Sequence, residues 1–231
     1  MLAPSTRILF VLAMSLNAAL GLIPRGIRAG GNGTQYPQII LGPEGSDPAT
    51  TEYQLNHVAF NTNNLTRALD FYTQVFGMRI ISTIQVTKHF SSTYLGYSFA
   101  GKNGTGYMTS AELYQQQRNT QGLLELLYLD VPDNNFPAST QSTNTFSSTG
   151  FVVPDTQDTQ KRLQDFGVTI YKKIGEPSPE SGPYAFATDL IRSKIDPAEF
   201  DAIFAVLTSA QETYIFAADP DGNMIEIMPQ T

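Results

Sequence analysis

Cysteine is absent from this chain of 231 residues, so disulfide bonds, cysteine-ligated metals and thiol nucleophiles are excluded. Runs of basic residues are also absent, and 21 acidic side chains against 14 lysines and arginines give a net charge of −7. Because a nucleic-acid surface needs clustered positive charge, we expect no nucleic-acid partner. Hydrophobic residues make up 41% of the chain, which is enough for a sizeable buried core.

Long apolar runs are scarce, and the one near the N-terminus is short for a membrane span. Arg7 precedes an apolar stretch over residues 8–16, and small residues follow it. This layout is typical of a secretory signal. We therefore predict a signal peptide over residues 1–22, a flexible linker rich in Gly, Pro and Ser up to residue 51, and a secreted protein with no remaining membrane span. The alternative is an uncleaved signal that anchors the chain in a membrane of the secretory pathway.

Three asparagines stand in the Asn-X-Thr pattern that accepts N-linked glycans. They are Asn32, Asn64 and Asn103. Such triplets also arise by chance, so they add only weak support to the prediction of secretion.

The rest of the chain repeats one order of strands and helices. Alternation of apolar and polar residues predicts strands, and apolar residues at helical spacing predict helices. In the first half these patterns predict a helix over residues 65–76 and strands over 53–61, 78–85, 94–100, 109–114 and 123–131. In the second half they predict a helix over residues 159–166 and strands over 149–153, 168–172, 211–217 and 224–228. The sequence therefore predicts an α+β fold with two tandem βαβββ modules.

Module one is expected over residues 52–135 and module two over residues 146–231, together forming a single domain. Module two carries an insertion over residues 176–210, in which Asp196 predicts the start of a helix that ends near Leu207. Connections of this length are often lids or binding loops.

One acidic residue in the last predicted strand is unusual in its surroundings. Residues 219–222 (Asp-Pro-Asp-Gly) predict a tight turn. In the strand that follows, Met224, Glu226 and Met228 share one face. A carboxylate between two methionines on an inward face is costly to bury unless something pairs with it. We therefore predict that Glu226 belongs to a functional site.

The repeat extends this site to three other positions. When the first strands of the two modules are aligned without a gap, His57 falls on Ser148, and when the last strands are aligned in the same way, Glu125 falls on Glu226. Each module thus carries one candidate residue in or beside its first strand and one in its last strand.

Four segments of the chain stand in the order and spacing of a known family. They are NHVAFNTNNLTRALDFYTQVFGM at residues 56–78, GLLELLYL at 122–129, GFVVPDTQDTQKRLQDFGVTIYKK at 150–173 and FAADPDGNMIEIMP at 216–229. With these segments the chain resembles the vicinal-oxygen-chelate superfamily, and within it the lactoylglutathione lyases (glyoxalase I). The resemblance implies the glyoxalase/bleomycin-resistance/dioxygenase fold, in which curved mixed sheets surround a central cavity with one metal ion.

Carried over by position, the resemblance implies that His57, Glu125 and Glu226 bind one divalent metal ion, such as zinc or nickel. Ser148 stands at the fourth ligand position, where the family has histidine; water or His89 could take that place. One histidine and two carboxylates suit a six-coordinate ion with open positions. The metal would stabilise an enediolate. Glu226, with Glu125 as its partner, would move the proton between adjacent substrate carbons.

The resemblance also places Lys172, Gln74 and Phe60 on the substrate side. Gln74 and Asn144 stand where the family has arginines that hold glutathione. Because a lost charged hydrogen bond costs about 1.5–3 kcal/mol, binding of glutathione should be weakened.

Two functions are consistent with these residues. The first is a secreted, glyoxalase I-like metalloenzyme, a lyase or isomerase that acts on a hemithioacetal or another small α-oxo compound. Its site would lie within one chain or across the interface of a homodimer. The second is a non-catalytic protein that binds or sequesters a small molecule and has a degenerate metal site. Retention of His57, Glu125 and Glu226 together favours the enzyme, whereas Ser148 favours the binding protein.

Overall fold

Two four-stranded mixed sheets, one from each half of the chain, form the framework of this computed structural model. It describes residues 37, 40–42, 47–98 and 107–230. The predicted signal peptide, most of the predicted linker, Asn32 and Asn103 lie outside the described residues. Among the residues described, no helix has the length and apolar character needed to cross a membrane.

The two sheets have the same topology. The strands of the first sheet are β1 (His57–Asn61), β2 (Arg79–Gln85), β3 (Phe90–Gly96) and β4 (Leu123–Leu129), in the order β1-β4-β3-β2. Those of the second sheet are β5 (Thr149–Val153), β6 (Ile170–Lys172), β7 (Ile215–Ala218) and β8 (Met224–Pro229), in the order β5-β8-β7-β6. In each sheet the first and last strands pair in parallel and the other pairs are antiparallel. The predicted α+β fold with two βαβββ units is confirmed.

Within the described residues, five α-helices connect or flank these strands. They are α1 (Leu65–Asp70), α2 (Ser110–Gln116), α3 (Thr156–Asp165), α4 (Pro183–Thr188) and α5 (Pro197–Ala210). A π-helical turn, Phe71–Val75, continues α1, and Gly77 with φ of +68° follows it at the chain reversal. Asn64, Asp155 and Asp196 begin α1, α3 and α5 by accepting hydrogen bonds from free backbone N–H groups.

Two predictions about module one were wrong. Residues 109–114 were expected to form a strand but begin α2, because Thr109 and Glu112 form a capping box in which each side chain binds the other's backbone N–H. The third strand is Phe90–Gly96 rather than 94–100, so it begins four residues earlier than its sequence pattern predicted.

A single buried core joins the backs of the two sheets. Leu124 and Leu126 of β4 and Ile225 and Ile227 of β8 all belong to it. The helical segments also meet there, because the guanidinium of Arg162 in α3 donates to the backbone carbonyls of Gln74 and Val75 (Nε to the Val75 oxygen, 2.7 Å). The two modules are therefore packed back to back.

The Asp-Pro-Asp-Gly turn clamps the two modules together. Asp219 is 7% exposed, and its carboxylate accepts from the Tyr72 hydroxyl at 3.0 Å and from the backbone N–H and side-chain amide of Asn223 at 2.7 and 3.0 Å. The carboxylate of Asp221 accepts from the Thr62 hydroxyl at 2.6 Å. The turn that marked the site in the sequence is thus a structural link to module one.

The stability of this clamp should depend on pH. Burial raises the pKa of the Asp219 carboxyl, although the bonds from Asn223 and Tyr72 partly oppose the shift. Because the folded state then binds this proton more tightly, the part of the stability that comes from protonation of Asp219 is fully present below the unfolded pKa and is lost as pH rises through the folded pKa. We expect the unfolding free energy of the wild type minus that of Asp219→Asn to fall over this interval in urea titrations. A difference that rises with pH there would contradict the assignment.

Candidate functional site

The two predicted glutamates project from the faces of the sheets that point away from the shared core. Neighbouring residues of a strand alternate between faces, and the neighbours of Glu125 and Glu226 are core residues. Glu125 therefore lies on the outer face of the first sheet and Glu226 on the outer face of the second. We call the residues around them the first and second half-sites.

The first half-site consists of His57 and Glu125, held by two residues of β3. Nε2 of His57 lies 3.1 Å from Oε2 of Glu125. The Ser92 hydroxyl donates to Oε1 of Glu125 at 2.6 Å. Tyr94 is the β3 partner of Glu125 in register, hydrogen-bonds to it, and packs edge-on against the His57 ring with centroids 5.3 Å apart. The carboxylate and the imidazole are thus both held in fixed orientations.

Asn56 determines which nitrogen of His57 carries the proton. Nδ2 of Asn56 donates to the backbone oxygens of Gln117 and Thr120 at 2.8 and 2.6 Å, which uses both hydrogens of the amide. Oδ1 of Asn56 therefore faces Nδ1 of His57, at 2.9 Å, and can only accept. Nδ1 must carry the proton, and this leaves Nε2 with a lone pair.

This lone pair points at a carboxylate oxygen of Glu125. Two acceptor atoms 3.1 Å apart repel each other unless a positive charge lies between them, either a proton on Nε2 or a metal ion. Metal-binding histidines have this arrangement, since the second ring N–H usually donates to an oxygen. An imidazole nitrogen and a carboxylate oxygen are suitable ligands for divalent transition metals. His57 and Glu125 therefore fit two ligand positions of such an ion.

The second half-site consists of Glu226 and Ser148. Gly150 of β5 is the register partner of Glu226, and Ser148, two residues earlier, projects on the same side. Burial raises the pKa of the Glu226 carboxyl, and a hydrogen bond from the Ser148 hydroxyl opposes part of the shift. The position where the family has histidine thus contributes a hydrogen-bond donor to the carboxylate.

The two half-sites do not form one metal centre within a single chain. Among the described residues, no group of three or more His, Asp or Glu side chains is arranged to hold a metal ion. A three-ligand centre made of His57, Glu125 and Glu226 therefore fits only if the half-sites of two chains combine. His89 is exposed in the hairpin between β2 and β3 and does not supply the missing ligand.

Comparison with known proteins identifies the family. The profile of the Glyoxalase/Bleomycin resistance protein/Dioxygenase superfamily matches residues 54–189. The chain belongs to this superfamily. The match includes the first half-site, Ser148 and the start of the insertion.

Two relatives in the superfamily are lactoylglutathione lyases. The protein from Pseudomonas aeruginosa is 27% identical over 141 residues, which cover 60% of this chain and 77% of the relative. The protein from Schizosaccharomyces pombe is 27% identical over 130 residues, which cover 54% of this chain and 40% of the relative. The chain thus spans less than half the length of the second relative. It is related to a lyase-type family of enzymes.

Solved structures of glyoxalase I also align with this chain. The trypanothione-dependent glyoxalase I of Leishmania major aligns at 17% identity with a TM-score of 0.46, covering 77% of this chain and 87% of the solved one. Glyoxalase I of Zea mays aligns at 19% identity with a TM-score of 0.46, covering 77% of this chain and 45% of the solved one.

Lys172, predicted on the substrate side from the superfamily pattern, is not available to a ligand. Its residue exposure is 0%, and Nζ donates to the backbone oxygens of Lys173, Gln211 and Tyr214 at 3.2, 2.7 and 3.0 Å. A lysine ammonium has three N–H groups, so all of them are used. Burial also lowers the pKa of Lys172. This lysine ties β6 to the segment before β7, and the predicted binding role was wrong.

Two other substrate-side positions lie apart from the half-sites. Phe60 points into the shared core, on the opposite face of β1 from His57, and its ring contacts Phe146 with centroids 5.1 Å apart. Its contact with a substrate stays a prediction. Gln74 lies at the surface of the π-helical turn, where its amide is 3.4 Å from Asp70.

Asn64, a predicted glycan acceptor, is exposed and caps α1 through its Oδ1, which accepts from the N–H of Arg67 at 3.0 Å. Glycans attach to the amide nitrogen, which this cap does not use. Glycosylation of Asn64 stays a prediction.

Sequence reasoning missed the residues that orient the site. Asn56, Ser92 and Tyr94 were not predicted as site residues, although Ser92 and Tyr94 have the two-residue spacing that places side chains on one face of a strand. Their contact with Glu125 depends on the register of β3 against β4, which the chain order alone does not give.

Proposed function

We propose that the protein is a glyoxalase I-like metalloenzyme that isomerises a hemithioacetal or another small α-oxo compound. The observation that carries this proposal is the contact between His57 and Glu125, where Asn56 leaves an imidazole lone pair facing a carboxylate at 3.1 Å. That arrangement requires a bound proton or cation, and it supplies two of the ligands that the superfamily pattern implies.

We propose further that two chains form a homodimer in which the first half-site of one chain meets the second half-site of the other. The open edge strands β1 and β5 support this arrangement, because each pairs with only one other strand. His57 lies in β1, and Ser148 directly precedes β5. Val58 and Val152, which are 39% and 58% exposed, line one groove of the chain together with Ser148, and the second chain would pack against this groove.

The residues of the combined site have distinct roles in the proposed reaction. His57, Glu125 and Glu226 would hold a divalent ion, which polarises adjacent substrate oxygens when bound. Glu226 takes a proton from one substrate carbon and returns it to the neighbouring carbon, while the hydroxyl proton passes through water from one substrate oxygen to the other, so the substrate is isomerised and no oxidant is needed. Because burial raises the pKa of Glu226, its carboxylate is a stronger base than a solvent-exposed glutamate. Ser148 positions that carboxylate.

Metal content and mass in solution test this proposal together. Protein purified without chelator should be a dimer by sedimentation and should contain close to one divalent metal ion per chain, and Glu226→Gln should lose the metal while staying a dimer. Conversion of hemithioacetals to thioesters should be detected in the metal-containing protein and lost in the metal-free variant. If the protein binds no metal even when zinc, nickel or manganese is added in excess, the metalloenzyme proposal is contradicted. A non-catalytic binding protein would then be the remaining function.

Replacement of Asn56 by leucine should weaken metal binding about 10–100-fold, because the N–H of Nδ1 would lose the acceptor that orients the ring. Competition with a chelating dye measures this affinity. Asn56→Asp keeps an acceptor for Nδ1 but loses both bonds from the amide to the backbone carbonyls, so its affinity should lie between those of the leucine variant and the wild type. Equal affinity of the leucine variant and the wild type would contradict the role of Asn56.

We also propose that the protein enters the secretory pathway. The proposal is supported by Arg7 and the apolar stretch over residues 8–16. N-terminal sequencing of protein recovered from the medium of expressing cells tests it, with cleavage near residue 22 expected. Protein that retains Met1 and stays inside the cells would contradict secretion.

A further inference from the structure

A cavity of about 370 Å³ lies between β1 and the segment that joins the two modules. This volume is sufficient for a small organic ligand. Among the described residues, those that line the cavity carry no charged side chain. Several of them are exposed and present surface to a ligand, namely Ala59, Asn61, Phe136, Pro137, Ser142 and Asn144.

The cavity lies against the open edge of β1. Ala59, Phe60 and Asn61 all line it. The side chains of Ala59 and Asn61 project from one face of the strand and that of Phe60 from the other, so a cavity that all three line must reach the strand at its edge. Because β1 is the outermost strand of the first sheet, this edge has no neighbouring strand.

The peptide groups at this edge are unpaired. The backbone N–H of Thr62 donates to β4 at 2.9 Å, and the backbone oxygen of Asn56 accepts from β4 at 3.1 Å. Peptide groups of successive residues in a strand point in opposite directions within the sheet, so those of Ala59 and Asn61 point away from β4. No described residue forms a hydrogen bond with them. Two N–H donors and two carbonyl acceptors therefore face outward.

The opposite side of the cavity is held in place by both modules. The side-chain amide of Asn63 accepts from the backbone N–H of Phe136 at 2.7 Å and donates to its backbone oxygen at 3.2 Å. Further along the segment, the Ser139 hydroxyl accepts from the backbone N–H of Met224 at 3.0 Å. The cavity is thus formed before a ligand binds.

Ala59 connects the cavity to the first half-site. It is the β1 partner of Glu125 in register, so the two side chains project from the same face of the sheet. His57 also lies on this face, two residues or about 7 Å earlier in the strand. A chain attached to a group bound at His57 and Glu125 can therefore extend along β1 into the cavity.

We propose that this cavity binds the thiol-derived part of the substrate, and that this part is an uncharged chain with an amide group. The assignment rests on the proposed function and adds the chemical class of the thiol. An amide has one donor and one acceptor, which match the unpaired carbonyl and N–H groups of Ala59 and Asn61, as when an extended segment adds to a sheet edge. Phe136, which is 41% exposed, provides apolar contact. A charged group would lose water there without gaining an oppositely charged partner.

Calorimetry with matched thioethers tests this assignment. S-butyl-N-acetylcysteamine contains the amide, and 2-(butylthio)ethyl acetate is the ester in which oxygen replaces its N–H. The wild type should bind the amide about three- to tenfold more tightly, because the ester cannot donate to the carbonyls of the strand edge. The N-succinyl analogue adds a carboxylate to the amide and should bind more weakly than the N-acetyl compound.

Two variants change the cavity itself. Ser142→Trp places an indole ring in the space of the ligand and should weaken binding of the N-acetyl thioether about tenfold. Asn61→Leu removes a side-chain amide and should weaken it about three- to tenfold. Gln164→Trp and Gln164→Leu, at an exposed position of α3 outside the cavity, are the matched controls and should leave the affinity unchanged. All three positions are exposed, so stability should change little.

Equal affinities for the amide and the ester, tighter binding of the N-succinyl analogue, or unchanged binding by Ser142→Trp would overturn the assignment. These measurements need no turnover, so they separate the cavity from the proposed reaction. If the N-acetyl thioether binds as expected but the methylglyoxal hemithioacetal of N-acetylcysteamine is not isomerised, the reaction fails and the binding site stands. Equal kcat/KM of the wild type and Ser142→Trp with that hemithioacetal would support the reaction and overturn the role of the cavity.

Discussion

Mixing two inactive variants, His57→Ala and Glu226→Gln, is expected to restore about one quarter of the wild-type activity per chain, because the proposed sites are shared between two chains. His57→Ala destroys the first half-site and Glu226→Gln the second. Alone, each variant should lose at least about a hundredfold in kcat/KM, since a ligand or the proton-transferring group is missing from every site. In a mixed dimer, one of the two sites combines the intact halves.

The size of the recovery follows from random exchange of chains. Half of the dimers are then mixed, and each has one working site of two, which gives about one quarter of the sites. His57→Ala mixed with Glu125→Gln is the matched control, because both substitutions affect the first half-site and no site is repaired. No recovery in the first mixture, with mixed dimers present by native mass spectrometry, would exclude the shared site.

Replacement of Asp219 by alanine should lower the free energy of unfolding by about 2–5 kcal/mol, since buried donors that lose their acceptor each cost about 1–3 kcal/mol. The donors left behind are the Tyr72 hydroxyl and the backbone and amide N–H groups of Asn223. Burial of the Asp219 carboxylate carries a desolvation cost, which is reflected in its raised pKa. Removal of the carboxylate relieves that cost. We expect the lost bonds to outweigh this relief, because three of them end on one side chain.

Urea denaturation of a small set of variants measures this effect. Tyr72→Phe removes one donor together with its bond and should cost less, about 0.5–1.5 kcal/mol. Asp165→Ala, at an exposed position of α3, should change stability by no more than about 0.5 kcal/mol. If Asp219→Ala were as stable as Asp165→Ala, the turn would not clamp the modules.

The sequence predicted the modules and the positions of the site residues better than their assembly. The pattern of apolar and polar residues within a strand is a local property, so it can be read from the sequence. The repeat of that pattern aligned Glu125 with Glu226. The capping pair Thr109 and Glu112 is a helix signal that spans only four residues. It outweighs the residue pattern that predicted a strand over 109–114, and α2 forms there instead.

Properties that depend on contacts between distant segments could not be derived from the sequence. Lysine usually lies at the surface of a protein. Lys172 is buried because its ammonium group donates to backbone carbonyls about 40 residues further along the chain. Similarly, nothing in the repeat indicates that the modules pack through their backs. That packing leaves each half-site on the face of its own sheet that points away from the shared core.

The shared core behind the two sheets also limits how the protein can move. Leu124, Leu126, Ile225 and Ile227 belong to one buried cluster, and close-packed interiors resist sliding. Opening one module against the other would expose apolar surface and break the bonds of Asp219. Hinge motion of one module against the other is therefore expected to be small, and each half-site should keep its geometry whether or not a second chain is bound.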